Sequence, residues 1–334
     1  MNPNLFTYAT SELSQDAIIC WLLEWAKSEN KEVNNALHIV GVSFLDSLFA
    51  KFEDKEKPSH YRSIKIYKQY KNIDVLCVVN DEYALIIEDK TNTKNHSKQL
   101  EKYLSEMKKE YMGNKILPIY FKTGDQSNYA SVSDKGYKVY LRKDFLSVLA
   151  LPFKNDILHD YKLHLQKIEQ DINSYKTKNV NEWSSYAVKG FYMALQNELQ
   201  DGNWDYVPNS SGGFWGFWWN NNQLDSYRIY MQIDATKKKN MPRKMALKFK
   251  VTLGTKEKVD KNIINFWKHH IKYSSDEYTI SKPRVVRVGR WTTVGIMDNF
   301  LVFDKDNKIN MQKSIKSLRR IEKILQQKIA TIKE

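Results

Sequence analysis

The stretch LIIEDK at residues 85–90 places three charged residues directly after three apolar ones, with no turn residue between them. The apolar half, continued from a Tyr-Ala pair, is typical of a buried strand. Alternate residues of a strand lie on the same face, so Glu88 and Lys90 are predicted to point one way and Asp89 the other. A core strand that ends in charges predicts a polar site at the edge of a sheet.

A second β-rich segment, IDVLCVV at 73–79, precedes this strand, and residues 80–81 are an Asn-Asp turn pair. The short connection predicts an antiparallel hairpin that brings Asp74 beside Glu88. Two carboxylates held close together repel each other unless a cation lies between them. Oxygen ligands of this kind suit Mg²⁺, with Mn²⁺ as the alternative ion. Lys90 could then orient or deprotonate a water, or neutralise charge in a transition state.

The first half of the chain alternates helical and strand-like periodicity. The predicted order is helix, helix, three strands, helix, strand, strand, helix, which indicates an α/β domain with a mixed sheet. We assign this domain to residues 1–176, ahead of a polar boundary segment. Its predicted helices cover 14–28, 36–52, 96–112, 144–150 and 156–173, and its strands cover 61–70, 73–79, 83–90, 115–124 and 137–141.

The remaining residues, 177–334, predict a separate accessory domain of the α+β class. The chain has 334 residues, more than one ordinary core holds, which favours two domains. The predicted helices of this domain cover 183–200, 257–273 and 309–332, and its predicted strands cover 228–233, 244–253, 284–288 and 293–303.

Composition narrows the class of protein further. No run of 18 apolar residues is present, so no membrane span is expected, and the first residues do not resemble a secretory signal. Cys20 and Cys77, the two cysteines, lie in apolar runs and are expected to be core thiols, in keeping with a cytoplasmic protein. The net charge of +14 favours a polyanionic partner.

Asp74 followed by Glu88, Asp89 and Lys90 on the next strand resembles the PD-(D/E)XK nuclease superfamily. Ile73 stands where that family often has proline, and Asp89 stands where it commonly has an apolar or small residue. The resemblance implies a restriction-endonuclease-like mixed sheet flanked by helices. A hairpin, an apolar strand and a following helix make the match more specific than the three site residues alone.

Two further matches lie outside the hairpin. Gln99 and Tyr103 resemble the Q-x-x-x-Y element of the RecB-like branch, and they share a helix face because they are four residues apart. Glu12 occupies the place of the family's upstream acidic motif. Each residue alone has an ordinary explanation: Tyr103 as core, and Glu12 as an acidic residue at a helix start.

The resemblance implies a role for each of these residues. Asp74 and Glu88 are expected to bind Mg²⁺ or Mn²⁺, with the main-chain carbonyl of Asp89 as a third ligand and Glu12 completing the metal site. Lys90 is expected to position or activate the water. Gln99 and Tyr103 are expected to organise the scissile phosphate or the surroundings of the metal.

Basic residues predict where nucleic acid binds. Lys94 lies just before the helix predicted at 96–112 and Lys98 lies in its first turn; four residues apart, they either contact phosphates or form a solvated helix face. Residues 236–250 contain seven Lys or Arg and no acid, a composition that can follow a phosphate backbone. The aromatic run at 214–219 predicts a packed core, a pocket wall or base stacking. The candidates in the basic segment are Lys237, Lys238, Lys239, Arg243 and Lys244.

The sequence therefore predicts a metal-dependent nuclease that hydrolyses phosphodiester bonds, with DNA as the expected substrate. A role in defence against foreign DNA is an expectation by analogy alone. Two alternatives stay open: a catalytically inactive nucleic-acid-binding protein on a nuclease fold, and an RNA-directed nuclease. The oligomeric state is also open, a homodimer included.

Overall fold

The strand that carries LIIEDK is the central strand of a five-stranded sheet with the order β1-β2-β3-β4-β5. The first three strands form an antiparallel meander, and the last two join it in parallel. All eight residues of β3 are buried, as expected for a strand covered on both faces. The strands are β1 (Ile64–Tyr70), β2 (Ile73–Val79), β3 (Tyr83–Lys90), β4 (Ile116–Lys122) and β5 (Lys138–Leu141).

Helices cover both faces of this sheet. Leu85 and Ile87 face a core that includes the first and third helices, whereas Ala84 and Ile86 pack with Tyr103 of the fourth. The helices of this half are α1 (Glu12–Trp25), α2 (Asn30–Val33), α3 (Asn35–Phe49), α4 (Gln99–Met107), α5 (Ala130–Ser133), α6 (Arg142–Val148) and α7 (Asp156–Asn173).

The first helix begins two residues before its predicted start. Ser11 caps it, because its hydroxyl accepts a hydrogen bond from the main-chain N–H of Ser14 at 3.2 Å. This places Glu12 in the first turn, where a negative charge is favourable and where its side chain can reach the loop after β3.

The computed structural model describes residues 3–94, 98–210, 212–237 and 241–333. The chain divides into two compact units, Met1–Ile168 and Glu169–Glu334, and the division falls within α7. The first unit confirms the mixed α/β fold with helices around its sheet. None of the described helices is both long and apolar enough to span a membrane.

The second unit is built on another five-stranded sheet, which is antiparallel throughout and has the order β12-β9-β8-β7-β6. A short two-stranded hairpin forms its own ladder, and Ser281, the residue after its second strand, bridges to Ile296 at the edge of the sheet. The elements are α8 (Ser185–Glu198), β6 (Asn203–Val207), β7 (Phe214–Leu224), β8 (Tyr227–Thr236), β9 (Lys244–Thr252), α9 (Lys261–His270), β10 (Tyr273–Ser274), β11 (Thr279–Ile280), β12 (Trp291–Met297) and α10 (Met311–Lys333).

Two features of this unit differ from the sequence-based prediction. The strand predicted at 284–288 is wrong: these residues form a loop before β12, and Val285 is 70% exposed. Pro283 precedes them and has no N–H to donate to a neighbouring strand. The aromatic run at 214–219, to which the sequence pattern assigns no secondary structure, is the first half of β7.

Candidate active site

The LIIEDK strand ends in a cluster of oppositely charged side chains. The register of β2 and β3 pairs Val75 with Ile87, and its continuation brings Asp74 beside Glu88. The ammonium of Lys90 lies 2.5 Å from Glu88 Oε1 and 3.6 Å from Asp74 Oδ2. The hairpin therefore brings together the three residues that the sequence predicted for the chemistry.

Asp74 is fixed by the main chain of the neighbouring strand. Its Oδ2 accepts a hydrogen bond from the N–H of Asp89 at 2.9 Å, and its Oδ1 accepts one from Gln69 Nε2 at 3.3 Å. The Lys90 ammonium in turn donates to the main-chain carbonyl of Asp89 at 2.7 Å. These bonds set the positions of the carboxylate and of the carbonyl relative to each other.

Glu12 reaches the same cluster from the first turn of α1. Its Oε1 accepts hydrogen bonds from the N–H of Thr91 at 3.1 Å and from Thr93 Oγ1 at 2.6 Å. Its Oε2 lies 3.9 Å from Lys90 Nζ. The carboxylate thus ties the loop after β3 to α1 and adds a third negative charge near Lys90.

Burial and charge together change the proton affinities in this cluster. Burial, reinforced by the charge of Asp74, raises the pKa of Glu88 to about 7. Burial alone would lower the pKa of Lys90, but the carboxylates of Glu88, Asp74 and Glu12 outweigh it and hold that pKa above its ordinary value. Lys90 is therefore an ammonium at neutral pH in this arrangement.

The donor set is suited to a hard divalent cation. Lys90 Nζ lies within 3.9 Å of oxygens from Glu88, Asp74, Asp89 and Glu12, the four residues predicted as metal ligands. Three carboxylates and one carbonyl are the ligand types of Mg²⁺ and Mn²⁺.

Two observations bear on whether these residues fit a divalent cation. In the described part of the chain, no three or more His, Cys, Asp or Glu side chains are grouped as a metal site would need. Both oxygens of fully buried Glu88 also receive no well-directed hydrogen bond from the described residues; the Lys90 contact is an ion pair. A buried carboxylate without a hydrogen-bond donor can bind a further cation. The residues therefore fit a divalent ion, provided that the Lys90 ammonium moves from its position among the carboxylates.

Gln99 and Tyr103 lie on α4, on the side of the sheet where Glu88 points. Gln99 Nε2 donates to the Tyr103 hydroxyl at 2.6 Å, and Tyr103 is buried against the strand residue Ile86. Burial raises the pKa of Tyr103, and Glu88 adds to that effect. The structure therefore pairs the two predicted residues and places the hydroxyl within reach of the electrostatic field of the carboxylates.

The side chain of Asp89 lies on the opposite face, as the strand periodicity predicts. Gln15 donates a hydrogen bond to its Oδ1, and Gln15 Oε1 accepts from Thr123 Oγ1 at 2.6 Å and from the Tyr161 hydroxyl at 3.0 Å. This buried polar network holds the end of β3 against α1. Sequence reasoning missed it, although a Gln-Asp pair beside the apolar residues of α1 was a signal.

Asp16 follows Gln15 into the same buried region. Burial raises the pKa of Asp16 to about 6, and the charge of Asp74 adds to the effect. The pKa of Asp89 is also raised, first by burial and then by the charge of Asp16. The hydrogen bond with Asp89 opposes the rise at Asp16, so burial is the main cause of both raised pKa values.

Lys94 and Lys98 are exposed on either side of a short segment outside the described residues. Lys122, which the sequence reasoning missed, is buried at the end of β4 and donates a hydrogen bond to the main-chain carbonyl of Thr93. The loop that carries Lys94 is therefore held at both Glu12 and Lys122.

The basic segment of the second unit divides into three kinds of residue. Lys237 and Lys244 are exposed. Arg243 is buried, and its Nε donates to the main-chain carbonyl of Trp183 at 2.8 Å, so we leave it out of the proposed nucleic-acid surface. Lys238 and Lys239 lie outside the described residues.

In the restriction-endonuclease-like class of proteins, the core is a β-hairpin followed by a parallel crossover. Its Asp, Glu and Lys residues lie together at one end of the two hairpin strands. The model of the PD-(D/E)XK nuclease superfamily matches residues 3–206, more than half of the chain, and the chain belongs to this superfamily. A comparison with curated proteins and one with solved structures each give no significant match. Assignment to the RecB-like branch stays a prediction.

Proposed function

We propose that this protein is a metal-dependent nuclease that hydrolyses phosphodiester bonds in DNA. One observation carries the proposal: four oxygen atoms surround the ammonium of Lys90. They come from Glu88, Asp74, Asp89 and Glu12. These oxygens belong to two adjacent strands and a helix start that the fold holds together. A solvated strand edge would not bury Glu88 completely.

In this proposal Asp74, Glu88 and the carbonyl of Asp89 hold the cation, and Glu12 completes its surroundings. When bound, Mg²⁺ or Mn²⁺ neutralises charge on the phosphate and lowers the pKa of a bound water. Asp74 is kept in place by the N–H of Asp89, so the ligand positions are set before substrate arrives.

Lys90 is proposed to act as a hydrogen-bond donor and a positive charge. Its raised pKa keeps the proton on Nζ at neutral pH, which favours orienting a water or stabilising negative charge over accepting a proton. Gln99 and Tyr103 are proposed to position the phosphate, because their hydrogen-bonded pair presents polar atoms beside Glu88.

Exposed cations support a polyanionic substrate. Lys94 and Lys98 are exposed and follow closely in sequence the strand that carries Glu88 and Lys90, so we propose that they contact phosphates next to the cleaved bond. Lys237 and Lys244 provide further exposed positive charge on the second unit. DNA is chosen over RNA on the superfamily resemblance, and a role in defence against foreign DNA rests on analogy.

The test is a cleavage assay with linear duplex DNA, circular DNA and RNA, each with Mg²⁺, with Mn²⁺ and with EDTA. We expect DNA cleavage that needs the ion and is lost in Glu88→Gln. Asp81→Asn is the matched control, because Asp81 is an exposed turn carboxylate and Asn tolerates its positive φ of 59°.

The outcomes separate the alternatives. Cleavage in EDTA, or cleavage by Glu88→Gln at the wild-type rate, contradicts the proposal. Binding of DNA without cleavage under all ionic conditions favours an inactive nucleic-acid-binding protein on a nuclease fold. Cleavage of RNA alone favours the RNA-directed alternative.

A further inference from the structure

The second sheet has two faces of different chemistry. One face is apolar: Phe217, Met231 and Phe249 lie in the buried core with α8, α9 and α10. The other face borders a cavity of about 580 Å³, a volume typical of small-molecule sites. The lining residues used below are Phe214, Trp218, Arg228, Tyr230, Lys250 and Trp291.

The strand register brings cations and aromatic rings together on this face. Tyr230 of β8 lies opposite Lys250 of β9. Arg228 lies opposite Thr252, and Thr252 lies opposite Trp291 of β12. Residues directly opposite each other in antiparallel strands have Cβ atoms about 5 Å apart on one face. Lys250 is therefore a direct neighbour of Tyr230, whereas Arg228 lies in one row with Trp291 across the intervening Thr252.

The aromatic residues form flat walls that remain partly open. Trp218 and Tyr230 are half-buried, whereas Trp291 is 55% exposed at the rim. The guanidinium of Arg290 lies 4.6 Å from the centre of the Trp291 ring and supports it from outside the lining. Flat, partly exposed rings in a cavity are suited to stacking against a planar ligand.

Arg228 and Lys250 line the cavity together with one acidic residue, Asp201. Among the described residues neither Arg228 nor Lys250 forms an ion pair, whereas Lys248 pairs with buried Asp234. Burial lowers the pKa of Lys250 to about 8, although Asp234 opposes the effect. A partly buried cation without an ion-pair partner is stabilised when an anion binds beside it.

We propose that this cavity binds one nucleotide unit, with its base against the aromatic walls and its phosphate on Arg228 and Lys250. A planar ring joined to an anion is the ligand chemistry that both parts of the lining select. A free nucleotide and a nucleotide of a single strand share this chemistry. The site lies on the second unit, so the proposal goes beyond the nuclease function and does not depend on it.

The experiment is isothermal titration of the full-length protein in EDTA, where no metal-dependent cleavage takes place. The probes are the four ribonucleoside 5′-monophosphates, the matching nucleosides, inorganic phosphate, and a single-stranded DNA hexanucleotide. We expect at least one monophosphate or the hexanucleotide to bind more than about tenfold tighter than its nucleoside and than phosphate. Binding of the hexanucleotide alone assigns the source to a strand.

Three variants and two controls test the location. Arg228→Met and Lys250→Met keep the aliphatic stem and remove a desolvated charge, so both should fold, and each should weaken binding by about tenfold to a hundredfold. Trp218→Leu should weaken binding by about tenfold. Lys256→Met and Phe266→Leu, which change exposed residues outside the cavity lining, should bind as the wild type does.

Some results would overturn the proposal. These are no binding of any monophosphate or of the hexanucleotide, nucleoside affinity equal to that of its monophosphate, or wild-type affinity in both Arg228→Met and Lys250→Met. Titration in EDTA measures binding and not cleavage. A negative result for nucleotide binding is therefore distinguishable from a negative result for the nuclease proposal.

Discussion

The ammonium of Lys90 lies 2.5 Å from the carboxylate of Glu88, two residues back on the same face of the same strand. Asp74 and Glu12 bring two more carboxylates to within 3.9 Å of that ammonium. Lys90 thus offsets repulsion among three negative charges while no divalent ion does so. Lys90, which we propose acts in hydrolysis, therefore also holds the proposed metal ligands together.

Lys90→Met should separate these two contributions. In EDTA we expect the free energy of unfolding of the variant to be about 3 kcal/mol lower than that of the wild type, because removing Lys90 leaves buried carboxylates without a compensating charge. Mg²⁺ should restore much of this loss, so the metal-induced rise in Tm should be larger in Lys90→Met than in the wild type. Turnover should fall far more than DNA affinity.

Lys109→Met is the control for this prediction. Its ammonium forms an exposed pair with Glu106, and such pairs contribute little to stability. A metal-induced rise in Tm that is equal in the wild type and in Lys90→Met would show that Lys90 does not stand among the metal ligands.

Glu88→Gln should lose activity and gain stability. The side chain is fully buried, and an amide of the same shape avoids the cost of burying a charge. We expect the rate of DNA cleavage to fall by about a thousandfold or more, since a ligand and its charge are lost. Thermal unfolding in EDTA at pH 8 should occur at a higher temperature than in the wild type. A less stable, fully active variant would contradict both parts.

The hairpin that builds this site could be predicted from the sequence because its signals are local. The Asn80-Asp81 pair adopts the positive φ values of 57° and 59° that suit a tight turn, and the flanking apolar runs define both strands. The predicted bounds, 73–79 and 83–90, match β2 and β3. With the register set, the positions of Asp74, Glu88 and Lys90 follow.

The missed features depend on contacts between distant parts of the chain. Strand β7 has no polar-apolar alternation in its first half, because Phe217 and Trp219 face the core while Trp218 faces a cavity that is also aromatic. The sequence places Arg243 in a basic segment, but its guanidinium donates a hydrogen bond to a carbonyl 60 positions away. Gln15 likewise acquires its role only through partners from other elements.

Tyr103→Phe tests the pair formed with Gln99. The ring stays in the core, and the hydrogen bond from Gln99 is lost, so the free energy of unfolding should fall by about 1 kcal/mol. If the hydroxyl positions the phosphate, kcat should fall by about tenfold. Tyr140→Phe is the control, because it also loses a buried hydroxyl contact, to Ser47 at 2.8 Å, in the other core of the first unit. Equal loss of kcat in the two variants would leave Tyr103 a structural residue only.

The basic segment of the second unit can be tested through salt dependence. Lys237 and Lys244 are exposed, and each contact with a phosphate contributes about 0.9 to the slope of log K against log salt concentration on duplex DNA. Lys237→Ala combined with Lys244→Ala should therefore flatten that slope by up to about two units and leave kcat unchanged. Arg243→Ala should instead lower Tm, because it leaves the Trp183 carbonyl without its donor. Identical salt slopes in the wild type and the double variant would remove these lysines from the binding surface.

Nucleotide binding by the cavity of the second unit should depend on pH through Lys250, whose pKa burial lowers to about 8. The charged groups near Lys250 include Asp234 and Lys248, which pair with each other. Arg228 on β8 and Asp201 also line the cavity. Tyr230 also faces the cavity, and burial raises its pKa, so it stays neutral in this range. Lys250 is therefore the group expected to change charge between pH 7 and pH 10.

The signs for binding and for folding are opposite. Affinity for a monophosphate should be constant near pH 7 and fall as the pH rises through about 8, because the phosphate loses one of its two cations. Without ligand, the folded pKa lies below the unfolded value of 10.5, so the unfolded state binds more protons between about 8 and 10.5. Stability contributed by this group should therefore rise with pH across that window while affinity falls. Titration calorimetry and thermal unfolding at matched pH values measure the two trends, and Lys250→Met should abolish both. Affinity that is independent of pH up to 10 in the wild type would mean that the Lys250 charge takes no part in binding.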